Sequence, residues 1–131
     1  GVGITGHIAF NEPPEPGEVC TDEEFLERPT RVLKLARETK TINAFMNCGA
    51  NIEAIPENCI TVGMKEMFMA KKVRMCMPRD WNAGALRKIL HGDVTCKVPC
   101  SLFQNHSDAK IYAGSDAINT SVIPKIRVYN K

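Results

Sequence analysis

The sequence lacks the features that would place the chain in a membrane. It has no run of about 18 apolar residues, the shortest stretch read as a membrane-spanning helix. Its first residues also contain no basic segment leading into an apolar one, which a secretory signal would show. We therefore expect a cytoplasmic protein that makes no membrane contact.

The chain also lacks a marked excess of charge of either sign. Lys and Arg number 17 against 15 Asp and Glu, so the net charge is +2. That balance provides no strong field for releasing counterions from a nucleic-acid backbone, and we expect no nucleic-acid partner. With 44% hydrophobic and 24% charged residues over 131 positions, the composition predicts a single globular domain.

Cysteine pairs separated by two residues are absent as well. The cysteines lie at positions 20, 48, 59, 76, 96 and 100. Structural zinc sites usually use two-residue spacings between cysteines and nearby histidines, so we expect no metal site. An even number leaves three disulfides as an alternative, but disulfide-dense domains are usually short and secreted. Reduced, buried thiols are the favoured interpretation.

Apolar periodicity predicts helices that alternate with strands. The predicted strands cover residues 32–35, 73–77 and 110–113. The predicted helices begin at Thr21, Thr61, Asp80 and Ser101, and the helix from Asp80 has Leu86, Ile89 and Leu90 facing inward. Residues 41–60 predict a short helix followed by a loop, and residues 123–129 an edge strand or a docked extension. The alternation favours an α/β fold, a three-layer αβα sandwich with a mainly parallel sheet.

Glycines at positions 1, 3 and 6 have the spacing of a dinucleotide-binding motif. The motif needs a strand before it and a long helix after it, and Pro13 and Pro14 prevent such a helix, so we reject a nicotinamide cofactor. The glycines still indicate a sharp turn or a close approach of the backbone to another group. Turns of this kind at strand ends are where α/β sheets bind ligands.

His7, Asn11 and Glu12 directly follow these glycines. Histidine is the side chain best suited to proton transfer near neutral pH, and Glu12 is close enough in sequence to orient its ring or share its proton. A loop histidine and an unrelated surface glutamate are the alternative interpretation of the same residues. The spacing alone leaves both open.

The string GVGITGHIAFNEP, residues 1–13, decides between them by resemblance. It closely resembles the signature of the glucosamine-6-phosphate deaminase/isomerase family, usually Gly-x-Gly-x-Asp-Gly-His-Ile-Ala-Phe-Asn-Glu-Pro. Twelve of the thirteen letters are compatible. Weaker similarity continues through Thr39 and Asn43, residues 60–63 and residues 99–106, so that the resemblance covers most of the chain.

The resemblance implies a Rossmann-like sugar isomerase domain that uses no cofactor. Family members open the ring of an amino-sugar 6-phosphate, isomerise it and release ammonia, which gives fructose 6-phosphate. By resemblance, His7 acts on the ring oxygen and Glu12 orients it. The resemblance implies a substrate-binding loop that contains Gly3, Thr5, Gly6 and Asn11.

The resemblance also implies partners. Family chains are much longer, so residues 1–131 correspond to the C-terminal part of one such domain, incomplete as a fragment, and we expect the missing N-terminal half as a partner. A sugar phosphate is the implied small-molecule partner. Since family members often form oligomers, a homo-oligomer is a further expectation.

Three positions depart from the family pattern. Thr5 stands where the family has an aspartate, and Phe45 and Asn82 align with an arginine and a lysine that contact the phosphate. An aromatic ring cannot replace a bidentate guanidinium. Two alternatives to unaltered deamination therefore stay open: a non-catalytic sugar-phosphate sensor, and an isomerase or hydrolase of the same fold with a different sugar substrate.

Overall fold

The computed structural model of the protein describes residues 1–119. Within these residues the α-helices are α1 (Asp22–Leu26), α2 (Arg37–Asn47), α3 (Met64–Phe68), α4 (Ala83–His91) and α5 (Ser115–Asn119). The strands are β1 (Arg31–Lys34), β2 (Asn58–Thr61), β3 (Val73–Met77) and β4 (Ala109–Ala113). Short 3₁₀ helices cover Ile52–Ala54, Asp80–Asn82 and Pro99–Asn105. The prediction for residues 123–129 lies outside the described part.

The strands form two pairs of opposite direction. β3 and β4 are parallel, with Val73 opposite Ala109 and Met77 opposite Ala113. β1 and β2 are antiparallel and form a separate ribbon. The α/β class is thus confirmed, and the strands predicted for 73–77 and 110–113 are present. The ribbon's second strand lies in a segment for which the sequence predicts a loop.

The core lies between the parallel strands and the helices that flank them. In α4 the residues Ala85, Leu86 and Ile89 are buried, whereas Leu90 is 55% exposed. The inward orientation predicted for Leu90 is wrong, because the centre of the buried face lies about 100° around the helix from it. In α1 Phe25 is fully buried. The other main core residues are Val2, Met64, Met75, Met77, Leu102 and Phe103.

Helix starts were predicted with mixed success. The capping box at Thr21 is confirmed, since its hydroxyl accepts from the Glu24 amide at 3.1 Å and the Glu24 carboxylate accepts from the Thr21 amide at 2.9 Å. Thr61 is not a cap: it ends β2, and Gly63 precedes α3. Asp80 does not cap α4 either, because a 3₁₀ turn comes first and the Asp80 carboxylate accepts from the Trp81 amide.

Residues 1–119 contain no helix that is long and apolar enough to cross a membrane. In the same part of the chain, no group of three or more His, Cys, Asp or Glu side chains is placed to hold a metal ion. All six cysteines are free, and Cys96 and Cys100 are buried among them. The free thiols agree with the expected reduced state, whereas the expected burial is wrong for the other four, of which Cys76 is exposed.

Candidate functional site

The first residues of the chain fold into a succession of tight turns that present His7. The Gly3 amide donates to the His7 carbonyl and the Gly6 amide donates to the Gly3 carbonyl, each at 3.0 Å. Gly6 has a positive φ of 83°, a conformation that favours glycine. Ala9 and Phe10 also have positive φ, at 48° and 55°. Two consecutive non-glycine residues in this region are uncommon, and such strain concentrates at functional sites.

His7 and Glu12 face each other across this bend. His7 Nδ1 lies 3.0 Å from Glu12 Oε2, and both side chains are about nine-tenths buried. The Thr5 hydroxyl lies 2.9 Å from His7 Nδ1 and donates to Glu12 Oε2 at 3.0 Å. The Thr5 hydroxyl uses its only proton in the bond to Glu12, so it cannot also donate to His7. The imidazole therefore carries a proton on Nδ1, the nitrogen that faces Thr5 and Glu12. In neutral His7 the other nitrogen, Nε2, is then free to accept a proton.

A residue of α2 completes the surroundings of the carboxylate. The Thr39 hydroxyl donates to Glu12 Oε1 and lies 3.3 Å from His7 Nδ1, and Thr39 is completely buried. Burial by itself raises the pKa of Glu12, but the hydrogen bonds from His7, Thr39 and Thr5 together with the charge of His7 outweigh it. The pKa of Glu12 is thus below its ordinary value of 4.5. Glu12 is therefore an anion near neutral pH.

Asn11 is the residue that fastens this bend to the rest of the fold. Its amide nitrogen donates to the carbonyls of Ile8 at 3.0 Å and Val62 at 2.8 Å. Its oxygen accepts from Arg31 Nη1 at 2.9 Å, and the residue is fully buried. These bonds connect the bend to the β1–β2 ribbon. Contact of Asn11 with a substrate stays a prediction.

His7 also lines a cavity of about 310 Å³. One wall is made by the N-terminal turns and another by α2, and the sole tryptophan of the sequence, Trp81, also lines it. The lining residues are Gly1, Val2, Gly3, His7, Ala9, Phe10, Ile42, Asn43, Met46, Asn47 and Trp81. Among the residues predicted for the site, the structure brings His7 and Gly3 to this cavity. Glu12, Thr5, Gly6 and Asn11 lie behind or beside His7 instead.

The two positions that align with phosphate-binding cations are placed differently from each other. Phe45 is 70% exposed and lines a second cavity with Ile4 and Ile42. Asn82 is buried, and its amide nitrogen donates to the Val2 carbonyl at 2.9 Å. Within residues 1–119, neither position contributes to the cavity beside His7.

Two residues of this site were not assigned a role from the sequence. Thr39 carried only a weak similarity, and no local pattern links it to Glu12, from which 26 residues separate it. Trp81 offered a usable signal, because it is the single tryptophan and follows the carboxyl end of a predicted strand. That edge of a parallel sheet is where ligands usually bind.

Comparison with known proteins gives this geometry a context. No family model matches the chain. The chain is 34% identical over 124 residues to a glucosamine-6-phosphate deaminase of Thermoanaerobacter sp. strain X514. The aligned region covers 95% of this chain and 44% of the relative. It is 32% identical over 119 residues to the protein of that name from Oceanobacillus iheyensis, with 90% of this chain and 43% of the relative covered.

A solved structure gives the same result for the fold. It is a monomeric glucosamine-6-phosphate deaminase, described as a missing link of the NagB superfamily, and it matches with a TM-score of 0.77 at 26% identity. The match covers 91% of this chain and 45% of that protein. The chain thus spans a little less than half the length of the proteins it matches. By sequence and by fold, the chain is a divergent relative of the glucosamine-6-phosphate deaminase family.

Proposed function

We propose that this chain supplies the ring-opening site of a sugar-phosphate deaminase/isomerase, in which His7 transfers protons and Glu12 orients it. The proposed substrate is glucosamine 6-phosphate and the products are fructose 6-phosphate and ammonia. The observation that carries the proposal is the 3.0 Å contact between His7 Nδ1 and Glu12 Oε2 at the wall of a cavity. The relatives named glucosamine-6-phosphate deaminase support it.

Ring opening needs one group that both takes and gives a proton. Nε2 of neutral His7 takes the proton of the anomeric hydroxyl and returns a proton to the ring oxygen as the bond between that oxygen and C1 breaks. The proton count is unchanged, and the product is the open-chain aldehyde. Glu12, an anion behind Nδ1, stabilises the imidazolium that forms between the two transfers.

The later steps require groups that the described cavity does not offer. Isomerisation needs a base at C2, and a phosphate dianion needs cationic or amide donors. Among residues 1–119, no carboxylate, lysine or arginine lines the cavity beside His7. We assign those groups to the additional length that the relatives possess, as an N-terminal part of the same domain. We further propose that the reaction takes place in the cytoplasm and needs no cofactor.

The test is turnover by the full-length protein that carries this chain. Formation of ammonia and fructose 6-phosphate from glucosamine 6-phosphate is measured for the wild type and for His7→Ala. We expect His7→Ala to lower the rate by about two to four orders of magnitude, the usual contribution of a general acid–base group. An unchanged rate would remove His7 from the mechanism, and no turnover by the wild type would contradict the deaminase assignment.

A second candidate function is a sensor that binds a sugar phosphate without converting it. The replacement of the signature aspartate by Thr5 favours it, because a neutral hydroxyl now occupies a place beside His7 Nδ1 where an anion is usual in the family. A sensor would show a rise in melting temperature on adding glucosamine 6-phosphate, with no product formed. Turnover of any amino- or keto-hexose phosphate would exclude it.

A further inference from the structure

Trp81 holds a position at the cavity that Asn82 fixes. Asn82 is buried, and its side chain accepts from the Arg79 amide at 3.1 Å and donates to the Val2 carbonyl at 2.9 Å. These two bonds tie the 3₁₀ turn Asp80–Asn82 to the N-terminal segment that carries His7. The indole of Trp81 consequently lines the same cavity as His7.

The indole N–H of Trp81 is without a partner. Nε1 is shielded from solvent and has no hydrogen-bond acceptor within the described part of the chain. A buried indole N–H usually finds one, because leaving a buried donor unpaired is unfavourable. No hydrogen bond through Nε1 therefore fixes the ring, and a modest rotation toward the cavity would let a ligand hydroxyl accept from it.

The rest of the cavity wall is suited to a neutral, hydroxylated ligand. Asn43 and Asn47 contribute amides, and the remaining side chains apart from His7 and Trp81 are apolar. Pockets of this kind, apolar with a few polar groups, fix the orientation of a small molecule. A pyranose ring matches this wall, since its C–H groups form an apolar face and its hydroxyls both donate and accept.

The geometry points to Trp81 as the residue that recognises the sugar ring, a hexose or hexosamine, in a manner independent of the phosphate. The inference rests on the proposed function and adds a specificity-determining residue to it. It also separates recognition of the sugar ring, by Trp81, from recognition of the phosphate. The indole face covers the ring while its N–H donates to a ring hydroxyl. The phosphate then contributes nothing to binding by residues 1–119.

Because Trp81 is the only tryptophan of the 131-residue chain, its fluorescence reports on this cavity alone. The chain is titrated separately with glucosamine, glucosamine 6-phosphate and inorganic phosphate. We expect both sugars to change the emission, with dissociation constants within about threefold of each other, and phosphate to leave it unchanged. The inference is overturned if phosphate alone changes the emission, if the 6-phosphate binds more than about tenfold tighter than glucosamine, or if neither sugar has an effect.

Substitutions identify the part of the indole that matters. By calorimetry, we expect Trp81→Ala to weaken glucosamine binding by about tenfold or more, and Trp81→Phe, which keeps an aromatic face, to weaken it by only a few-fold. Tyr112→Ala is the matched control, because Tyr112 is an exposed aromatic on β4 and does not line the cavity. Wild-type affinity in Trp81→Ala would overturn the inference.

The same variant in the full-length protein separates this inference from the proposed function. We expect Trp81→Ala to raise KM by about tenfold with kcat changed only a few-fold, since it removes binding and no proton-transfer group. An unchanged KM alongside wild-type turnover contradicts the role of Trp81 and leaves the proposed function intact. Binding of glucosamine through Trp81 without any turnover supports Trp81 and contradicts the proposed function.

Discussion

The imidazole of His7 lies directly against Gly3, so closely that a Cβ at Gly3 would be 2.1 Å from His7 Cε1. Real Cβ atoms do not approach other atoms to that distance. A glycine is therefore needed at position 3 because a side chain there would collide with the His7 ring. Its backbone conformation does not require glycine, since its φ is not positive. The motif's second glycine provides the space into which His7 folds.

Gly3→Ala is expected to displace the His7 ring from Glu12. The protein should still fold, because the ring can move outward, but turnover by the full-length protein should fall by about 100-fold, as misplacement of a catalytic group by an ångström typically does. Gly84→Ala is the control: nothing lies within 4 Å of a Cβ there, and alanine in α4 should stabilise the fold by up to about 1 kcal/mol. Equal turnover in the two variants would show that the position of His7 is unimportant.

Removal of the Thr39 hydroxyl tests what holds Glu12. Thr39→Val keeps the volume but leaves a buried carboxylate oxygen without its donor, so unfolding should require about 1–3 kcal/mol less free energy. Thr39→Ser, which keeps the hydroxyl, should lose less. Thr41→Val on the exposed side of the same helix is the control in urea denaturation. A Thr39→Val loss no larger than that of the control would contradict the bond to Glu12.

Stability at acid pH should depend on Glu12. Despite its burial, the hydrogen bonds from His7, Thr39 and Thr5 hold the pKa of Glu12 below 4.5 in the folded state. Its carboxylate therefore stabilises the fold above pH 4.5, and this contribution is lost as the pH falls through the folded pKa. The difference in unfolding free energy between wild type and Glu12→Gln should shrink from pH 6 to pH 3. With the exposed Glu53→Gln as control, an equal difference at both pH values would contradict this linkage.

Parts of the site that depend on local sequence could be predicted, whereas parts that depend on packing could not. His7 and Glu12 are five residues apart across a bend that glycines and Pro13 indicate, and the structure brings them together. Thr39 reaches Glu12 only because α2 packs against that bend, and nothing near position 39 indicates this contact. Trp81 is likewise placed by a neighbour, since the bonds of Asn82 set its turn.

In the fold, too, the elements with a local sequence signal were predicted and those without one were not. In β3 the apolar Val73, Met75 and Met77 alternate with the exposed Arg74 and Cys76, and the capping box of α1 is a local signal, so both were predicted. β2 was not predicted, because residues 58–61 are held by backbone pairing to β1 and two of the four, including Ile60, have exposed side chains. The apolar Ile60 is exposed and the polar Thr61 is buried, which reverses the alternation that would predict a half-buried strand.

Asn82 is expected to tolerate no lysine, the residue that the family pattern would place there. Asn82→Lys would break the bonds to Arg79 and Val2 and bring a charge to a buried site, so the free energy of unfolding should fall by more than about 2 kcal/mol. Asn58→Lys, at an exposed position of β2, is the matched control and should change stability by less than about 0.5 kcal/mol. Thermal unfolding of both variants measures the difference. If the Asn82→Lys protein were as stable as the control, Asn82 would not be the structural anchor of the Trp81 turn.

Thiol reactivity should divide the cysteines by burial. Burial raises the pKa of Cys100 to about 12, and burial together with the nearby Asp22 carboxylate raises that of Cys96 to about 11. Since the thiolate is the reacting species, both should be alkylated at pH 8 at least about 100-fold more slowly than the exposed Cys76. Iodoacetamide labelling followed by mass spectrometry measures the rates, and the chain unfolded in urea, where all six thiols should react alike, is the control. Rapid labelling of Cys100 in the folded chain would contradict its place in the core, where its Sγ lies 3.1 Å from the sulfur of Met75.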